Sequence, residues 1–208
     1  MDEKNFMWLE IARELQALSQ SGLTFSENHF ERDRYKRISE IASEIFNKHT
    51  EIDNNELFDL FIDQKGYATP KIDVRAATIK EGKILLVKEA ADGKWSMPGG
   101  WADVGDKPSE VAERETMEES GFIVKAQKLI GVFDANRSGR PLELFHAFKI
   151  IFLCEFIGGE ATPSDETLDV GFFPLDDLPE LSSNRTNERH LNEIKAHLKD
   201  MERHTYFD

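Results

Sequence analysis

The chain has 208 residues, 39% of them hydrophobic and 32% charged, which suits one domain with an appendage or two small domains and excludes a disordered chain. Its formal net charge is −14, so the bulk surface repels nucleic acid, anionic membrane and anionic small substrates alike. No apolar run approaches the roughly eighteen residues of a membrane span, and the start Met1-Asp2-Glu3-Lys4 lacks the basic and apolar pattern of a secretory leader. The single cysteine, Cys154, lies in an apolar run and reads as a buried, inert thiol. A cytoplasmic protein with no membrane partner is expected. A phosphate-bearing substrate would need a cation in the site, supplied by arginine or a divalent metal.

Three helical patterns come first. Trp8, Ile11, Ala12, Leu15 and Leu18 recur at helical spacing, as do Ile38, Ile41, Ala42 and Ile45, and Leu57, Leu60 and Phe61 form a shorter set. Gly22 punctuates the first gap, and Ser26 is the expected N-cap of the second helix. The apolar stripes must be buried on the rest of the chain, on a second copy, or both, and a homodimer is the preferred expectation. Residues 29–37 interleave basic and aromatic side chains, as some nucleic-acid binders do, but acidic residues are mixed in and a solvated helix with internal pairs is the simpler reading. Gly66 and Pro70 end this texture. Residues 1–66 are therefore assigned to a small all-α domain with a substrate or dimer role, and 67–208 to a catalytic domain.

From Lys71 the pattern is strand-like. Residues 74–79 and 84–87 flank a hairpin turn at Glu81-Gly82. Gly99-Gly100 and a loop follow. Pro108 then opens a helix to about Ser120, with Gly121 as its stop. Strands are predicted over 123–132 and 145–156, with Gly158-Gly159 breaking the second. A short strand at 170–173 precedes a closing helix over 187–201, with Leu191, Ile194 and Leu198 on one face.

The central helix carries the chemistry. Glu115 stands three residues from Glu118 and four from Glu119, so the three carboxylates project as neighbours. Like charges at this spacing weaken a helix by a few tenths of a kcal/mol per pair, which a hard divalent ion with oxygen ligands would offset. Arg114, the one cation between Pro108 and Gly121, can pair with a carboxylate and hold it. A solvated acidic face is the bland alternative.

Context favours the metal. Gly100, Arg114, Glu115, Glu118, Glu119, Gly121 and Phe122 fall at the fixed positions of the Nudix box, and the segment resembles that family's signature. Two positions depart from it: Asp106 stands where the pattern has glutamate, and Thr116 where it has an aliphatic residue. The resemblance implies an α/β fold, a Nudix α/β/α sandwich with a mixed sheet. It also implies hydrolysis of a nucleoside diphosphate linked to a second group. Glu115, Glu118 and Glu119 would bind Mg²⁺ or Mn²⁺ with the backbone oxygen of Gly99, Glu119 would be the first choice of base, and Arg114 would position the carboxylates. Glu166, on a late loop, is a further base or ligand, or an ordinary loop acid.

Residues 71–77, 152–156, 172–173 and 181–185, with the helical extension, resemble one Nudix subgroup: the CDP-choline pyrophosphatases of Gram-positive bacteria, often labelled ADP-ribose pyrophosphatases. This implies CDP-choline hydrolysis to CMP and phosphocholine, with ADP-ribose as the alternative, and short RNA as a possible second substrate. A catalytically silent nucleotide sensor is the reading of another class. Arg75 would contact substrate or form a structural ion pair. Asp134 and Arg137 lie on a polar loop that could face the pocket, and Arg185 is one more cationic candidate.

Overall fold

A computed structural model of the chain describes residues 3–49, 58, 59, 61, 63–135 and 146–208, with side chains from residue 7 onward. It divides into two compact units, Met1–Pro70 with Leu142–His146, and Lys71–Pro141 with Ala147–Asp208. Among the described residues, no helix is long and apolar enough to cross a membrane.

The first unit is built on α1 (Glu3–Phe25) and α2 (His29–His49). Leu9 and Ala12 of α1 pack with Ala42 and Phe46 of α2 and with Phe61. The buried face of α1 continues through Gln16, Ser19 and Gln20, while Trp8 and Leu18 are exposed. The predicted stripe was therefore only partly right: Ala12 and Leu15 pack in this core, but polar side chains take the places of its ends, Gln16 donating to Gln20 at 2.9 Å and Ser19 to the Tyr35 carbonyl at 2.6 Å. Gly22 does not break α1. It admits the Tyr35 ring, whose Cε1 would lie 2.3 Å from an added Cβ. Nor is Ser26 the cap of α2: the Asn28 side chain, just before the helix, accepts the Phe30 N–H at 2.9 Å, while Ser26 bonds Glu31. Leu57 and Leu60 lie outside the described residues.

The second unit holds β1 (Lys71–Lys80), β2 (Lys83–Glu89), β3 (Trp95–Ser96), β4 (Gly99–Trp101), α3 (Pro108–Ser120), β5 (Phe122–Asp134), β6 (Ala147–Gly159), β7 (Thr167–Pro174), α4 (Glu188–Lys199) and β8 (Tyr206–Phe207). The sheet runs β3-β2-β1-β6-β5-β8, with β4 on β1 and β7 on β2. β1 pairs with β6 in parallel, Lys71 opposite Ala147, and β5 with β8 likewise, so the sheet is mixed. The turn between β1 and β2 has positive φ at both Glu81 and Gly82, the geometry of a tight hairpin.

Alternation along the strands separates two faces. Val74, Ala76 and Cys154 pack with Val111 and Ala112 of α3. Ala77, Ile84, Leu86 and Ile151 pack with Leu191 and Ile194 of α4, each buried leucine or isoleucine contributing about 1.5–3 kcal/mol. The result is the expected α/β/α sandwich. Cys154 is buried, and burial pushes its thiol up to about 12, so it is inert. Gly158-Gly159 does not stop β6 short; both residues lie within it and the strand ends at Gly159. The pairing continues to Gly159 opposite Phe122, and glycine is required there because φ is +95° and a Cβ would stand 2.4 Å from the Gly121 carbonyl. Close approach, not a break, explains Gly159; a Cβ on Gly158 would meet open space. The closing helix stops before Met201, and Asn187 caps its start.

Candidate active site

The site forms where β4 lies on the first residues of β1, under the end of α3. Gly99 stands opposite Arg75, and Gly100 opposite Val74. A side chain cannot be built at Gly99: φ is +143°, and a Cβ would meet the Val74 carbonyl oxygen at 2.0 Å. At Gly100 a Cβ would sit 3.0 Å from Glu115 Oε2. The double glycine thus lets backbone and carboxylates of α3 meet. The Gly99 N–H donates to Glu119 Oε2 at 3.0 Å.

Helix α3 is set by its ends. Pro108 starts it, and Gly121, at φ 74°, closes it by donating to the Met117 carbonyl. Thr116 is fully buried and donates its hydroxyl to the Ala112 carbonyl at 2.7 Å, which is how a polar residue occupies an aliphatic position. Arg114 gathers the acids: it lies 2.7 Å from Glu115, 3.2 Å from Glu118 and 3.3 Å from Asp106. Asp106 in turn accepts the Asp103 N–H at 3.1 Å, so this residue braces the loop and Arg114. Glu119 is only 7% exposed. Burial pushes its carboxyl up to about 7, with Arg75 and the Gly99 N–H working the other way. Burial also raises Glu115, against Arg114.

A cleft of about 590 Å³ brings Arg114, Glu115, Glu118 and Glu119 together with Arg75, Arg185 and Glu166. Glu166 reaches it because its loop is tied on both sides. Thr167 donates its hydroxyl to the Glu119 carbonyl at 2.8 Å, and the Ala90 N–H donates to the Glu166 carbonyl at 2.9 Å. Arg75 is buried, bonded through Nε to Asp73 at 2.7 Å and through Nη1 to the Met97 carbonyl at 3.2 Å. Lys149 reaches the other Asp73 oxygen at 2.5 Å. Burial alone would raise Asp73, but these two cations hold it down at about 2. Arg185 stands 3.2 Å from Glu89, with Ser182 bonded to it at 3.3 Å.

Asp134 does not line this cleft. It ends β5 opposite Phe148, and its N–H donates to the Asp208 carboxylate at 2.7 Å. Arg137 lies outside the described residues. Sequence reasoning missed Glu89, a buried acid in the cleft wall, and the partners Asp73 and Lys149. An acid closing the apolar strand Ile84–Val87 was the signal for Glu89. Nothing local announces Lys149, which lies on another strand.

The donor set is one of hard oxygens, which fits Mg²⁺ or Mn²⁺. Among the described residues, no three acidic, histidine or cysteine side chains already close on one point. The reason is visible: Glu115 and Glu118 lean to Arg114, while Glu119 turns to the Gly99 N–H. A cation in the cleft would compete with Arg114 for two of the three.

Two family profiles match the chain. Residues 7–61 match a UDP-X-like, N-terminal oligomerisation domain, and residues 70–194 match the NUDIX domain. Bacillus subtilis YjhB, provisionally named an ADP-ribose pyrophosphatase, is 36% identical over 97% of each chain. A solved ADP-ribose pyrophosphatase of Streptococcus suis is 39% identical, covering 67% of this chain and all of its own, with a TM-score of 0.61. A solved UDP-X diphosphatase is 31% identical over 98% of this chain and 99% of its own, with a TM-score of 0.63. Signature, sandwich and full-length likeness agree: the chain belongs to the Nudix family, as a Nudix pyrophosphohydrolase with a UDP-X-like N-terminal domain.

Proposed function

We propose that the chain hydrolyses nucleoside diphosphates linked to an alcohol or sugar, with CDP-choline as substrate and CMP and phosphocholine as products. The observation that carries the reading is the buried Glu119, fixed by the Gly99 N–H, beside Glu115, Glu118 and Glu166 in one cleft. Glu115, Glu118 and Glu119, with the Gly99 backbone oxygen, would hold Mg²⁺ or Mn²⁺. When bound, the ion offsets phosphate charge, orients water and lowers its pKa, supplying the cation that a −14 protein lacks.

The chain's own groups do the rest. Arg114 steers Glu115 and Glu118. Glu119 accepts the proton of the attacking water, with Glu166 poised across the cleft as a second acceptor or ligand. The water oxygen bonds to one phosphorus, the bond from that phosphorus to the bridging oxygen breaks, and the second phosphate leaves with that oxygen. Arg185 offers a guanidinium to the phosphates. Its Nη2 has no hydrogen-bond partner among the described residues. For Arg75, the Asp73 pair supports the structural role rather than substrate contact.

CDP-choline rests on the subgroup resemblance of residues 181–185 and the helical extension. The names of YjhB and the Streptococcus suis protein favour ADP-ribose as the second reading. The domain of residues 1–66 is proposed to form a homodimer, supported by the oligomerisation-domain match and the exposed Leu18, Phe25 and Phe30. The test is incubation with Mg²⁺ or Mn²⁺ and a panel of CDP-choline, ADP-ribose, UDP-sugars, nucleoside triphosphates and short RNA, with products identified. CMP and phosphocholine as the fastest products support the assignment. Preference for ADP-ribose overturns it, and trimming of RNA from its 3′ end would add the exonuclease. Tight nucleotide binding without turnover of any member would indicate a sensor.

A further inference from the structure

Beyond Gly99 and Gly100 the cleft wall carries Trp101, whose side chain leaves the residue 47% exposed. Among the described lining residues it is the one aromatic and the one large apolar side chain; the rest are arginines, carboxylates, a serine and glycines. Its place is set by the sheet. Trp101 pairs with Asp73, and the next residue, Ala102, donates its N–H to the Ile72 carbonyl at 2.9 Å. Lys71 puts its ammonium 6.0 Å from the ring centroid.

A half-exposed indole, its backbone fixed by the sheet, in the wall of an otherwise polar cleft contributes little to the core. A nucleotide is amphipathic in the complementary way, anionic at its phosphates and flat and weakly polar at its base. Arginines, and carboxylates through a bound cation, can serve the phosphate end; a guanidinium can also stack on a base, but Arg75, Arg114 and Arg185 are each paired with a carboxylate here. Aromatic stacking can serve the base, and it tolerates any base because every base has a π-face. Lys71 adds a cation where a negatively charged ligand would approach a protein of charge −14.

We propose that Trp101 is the stacking platform for the nucleobase, so that the nucleoside end is recognised by a stack that accepts more than one base. This rests on the reading that the substrate is a nucleotide, but not on which one.

The test uses the full chain, with calorimetric titration of CMP, AMP and phosphocholine into wild type, Trp101→Ala and Trp101→Phe. Kinetics follow on CDP-choline and on its baseless analogue, ribosyl diphosphocholine. Trp101→Ala is expected to weaken CMP and AMP by about tenfold or more, with phosphocholine unchanged. It should raise KM for CDP-choline far more than it lowers kcat, leave the baseless analogue's kinetics as in wild type, and be largely rescued in Trp101→Phe. If CDP-choline is not turned over but nucleotide affinity still depends on Trp101, the stack stands and the substrate assignment falls. Equal nucleotide affinity in wild type and Trp101→Ala, equal loss of phosphocholine, no nucleotide binding by wild type, or a changed oligomeric mass in Trp101→Ala would each overturn the proposal.

Discussion

His190 sits at the start of α4 in a reciprocal cap. The Asn187 side chain accepts its N–H at 3.2 Å, and its Nδ1 accepts the Asn187 N–H at 3.3 Å. The ring is buried, 4.9 Å between centroids from Phe133. Burial, reinforced by Lys149, pushes its pKa down from 6.5 to about 3. The unfolded chain therefore takes up a proton near pH 6.5, while the folded chain takes none until about pH 3. The stability tied to the neutral ring is whole above 6.5 and is lost as pH falls toward 3. At pH 5 the loss is about 2 kcal/mol, and it depends little on the folded pKa as long as that stays well below 5. His190→Gln keeps an acceptor at this helix position without a titrating group. Urea unfolding of both proteins, followed by circular dichroism at pH 7 and pH 5, isolates the effect, because carboxylates common to both cancel in the difference. The variant should gain about 2 kcal/mol on wild type between the two pH values. A difference that stays constant to within about 0.5 kcal/mol would refute the buried neutral ring.

Three further outcomes follow. Asp73→Asn removes the buried carboxylate that Arg75 and Lys149 share and should cost about 3–5 kcal/mol, whereas Lys149→Met leaves the Asp73–Arg75 pair in place and should cost clearly less; thermal or urea unfolding ranks them. Gly99→Ala places a Cβ 2.0 Å from the Val74 carbonyl at a φ of +143°, so the variant should lose turnover and melt lower than wild type by calorimetry. Thr116→Val replaces a buried hydroxyl bonded only to a helix carbonyl, and its unfolding free energy should change by less than about 1 kcal/mol.

What was legible in the sequence was local. The Glu81-Gly82 turn, the Pro108 start and Gly121 stop of α3, and the gathering of Glu115, Glu118 and Glu119 follow from short-range geometry. What was not legible depends on partners distant in the chain. Gly22 and Gly159 read as breaks, but each is a close approach to Tyr35 or to the Gly121–Phe122 backbone. Part of the buried face of α1 was missed because Gln16 and Ser19, polar by type, are buried while bonding Gln20 and the Tyr35 carbonyl. For Arg75 the sequence left substrate contact and a structural ion pair both open, because its partner Asp73 is completed by Lys149, which only the parallel pairing of β1 with β6 brings near. Glu89 and Arg185 meet only because residues 180–182 bond along Trp95.

The central claim is that the carboxylates of α3 drive metal-dependent diphosphate hydrolysis. Its most direct test is turnover of the substrate panel by chelator-treated wild type and Glu119→Gln as Mg²⁺ is restored, with circular dichroism to show that both are folded. Wild type should be inactive without the ion and recover with it, while folded Glu119→Gln should stay at least roughly a hundredfold below it at every Mg²⁺ concentration. Undiminished activity in Glu119→Gln, or wild-type turnover that ignores the chelator, would contradict the account.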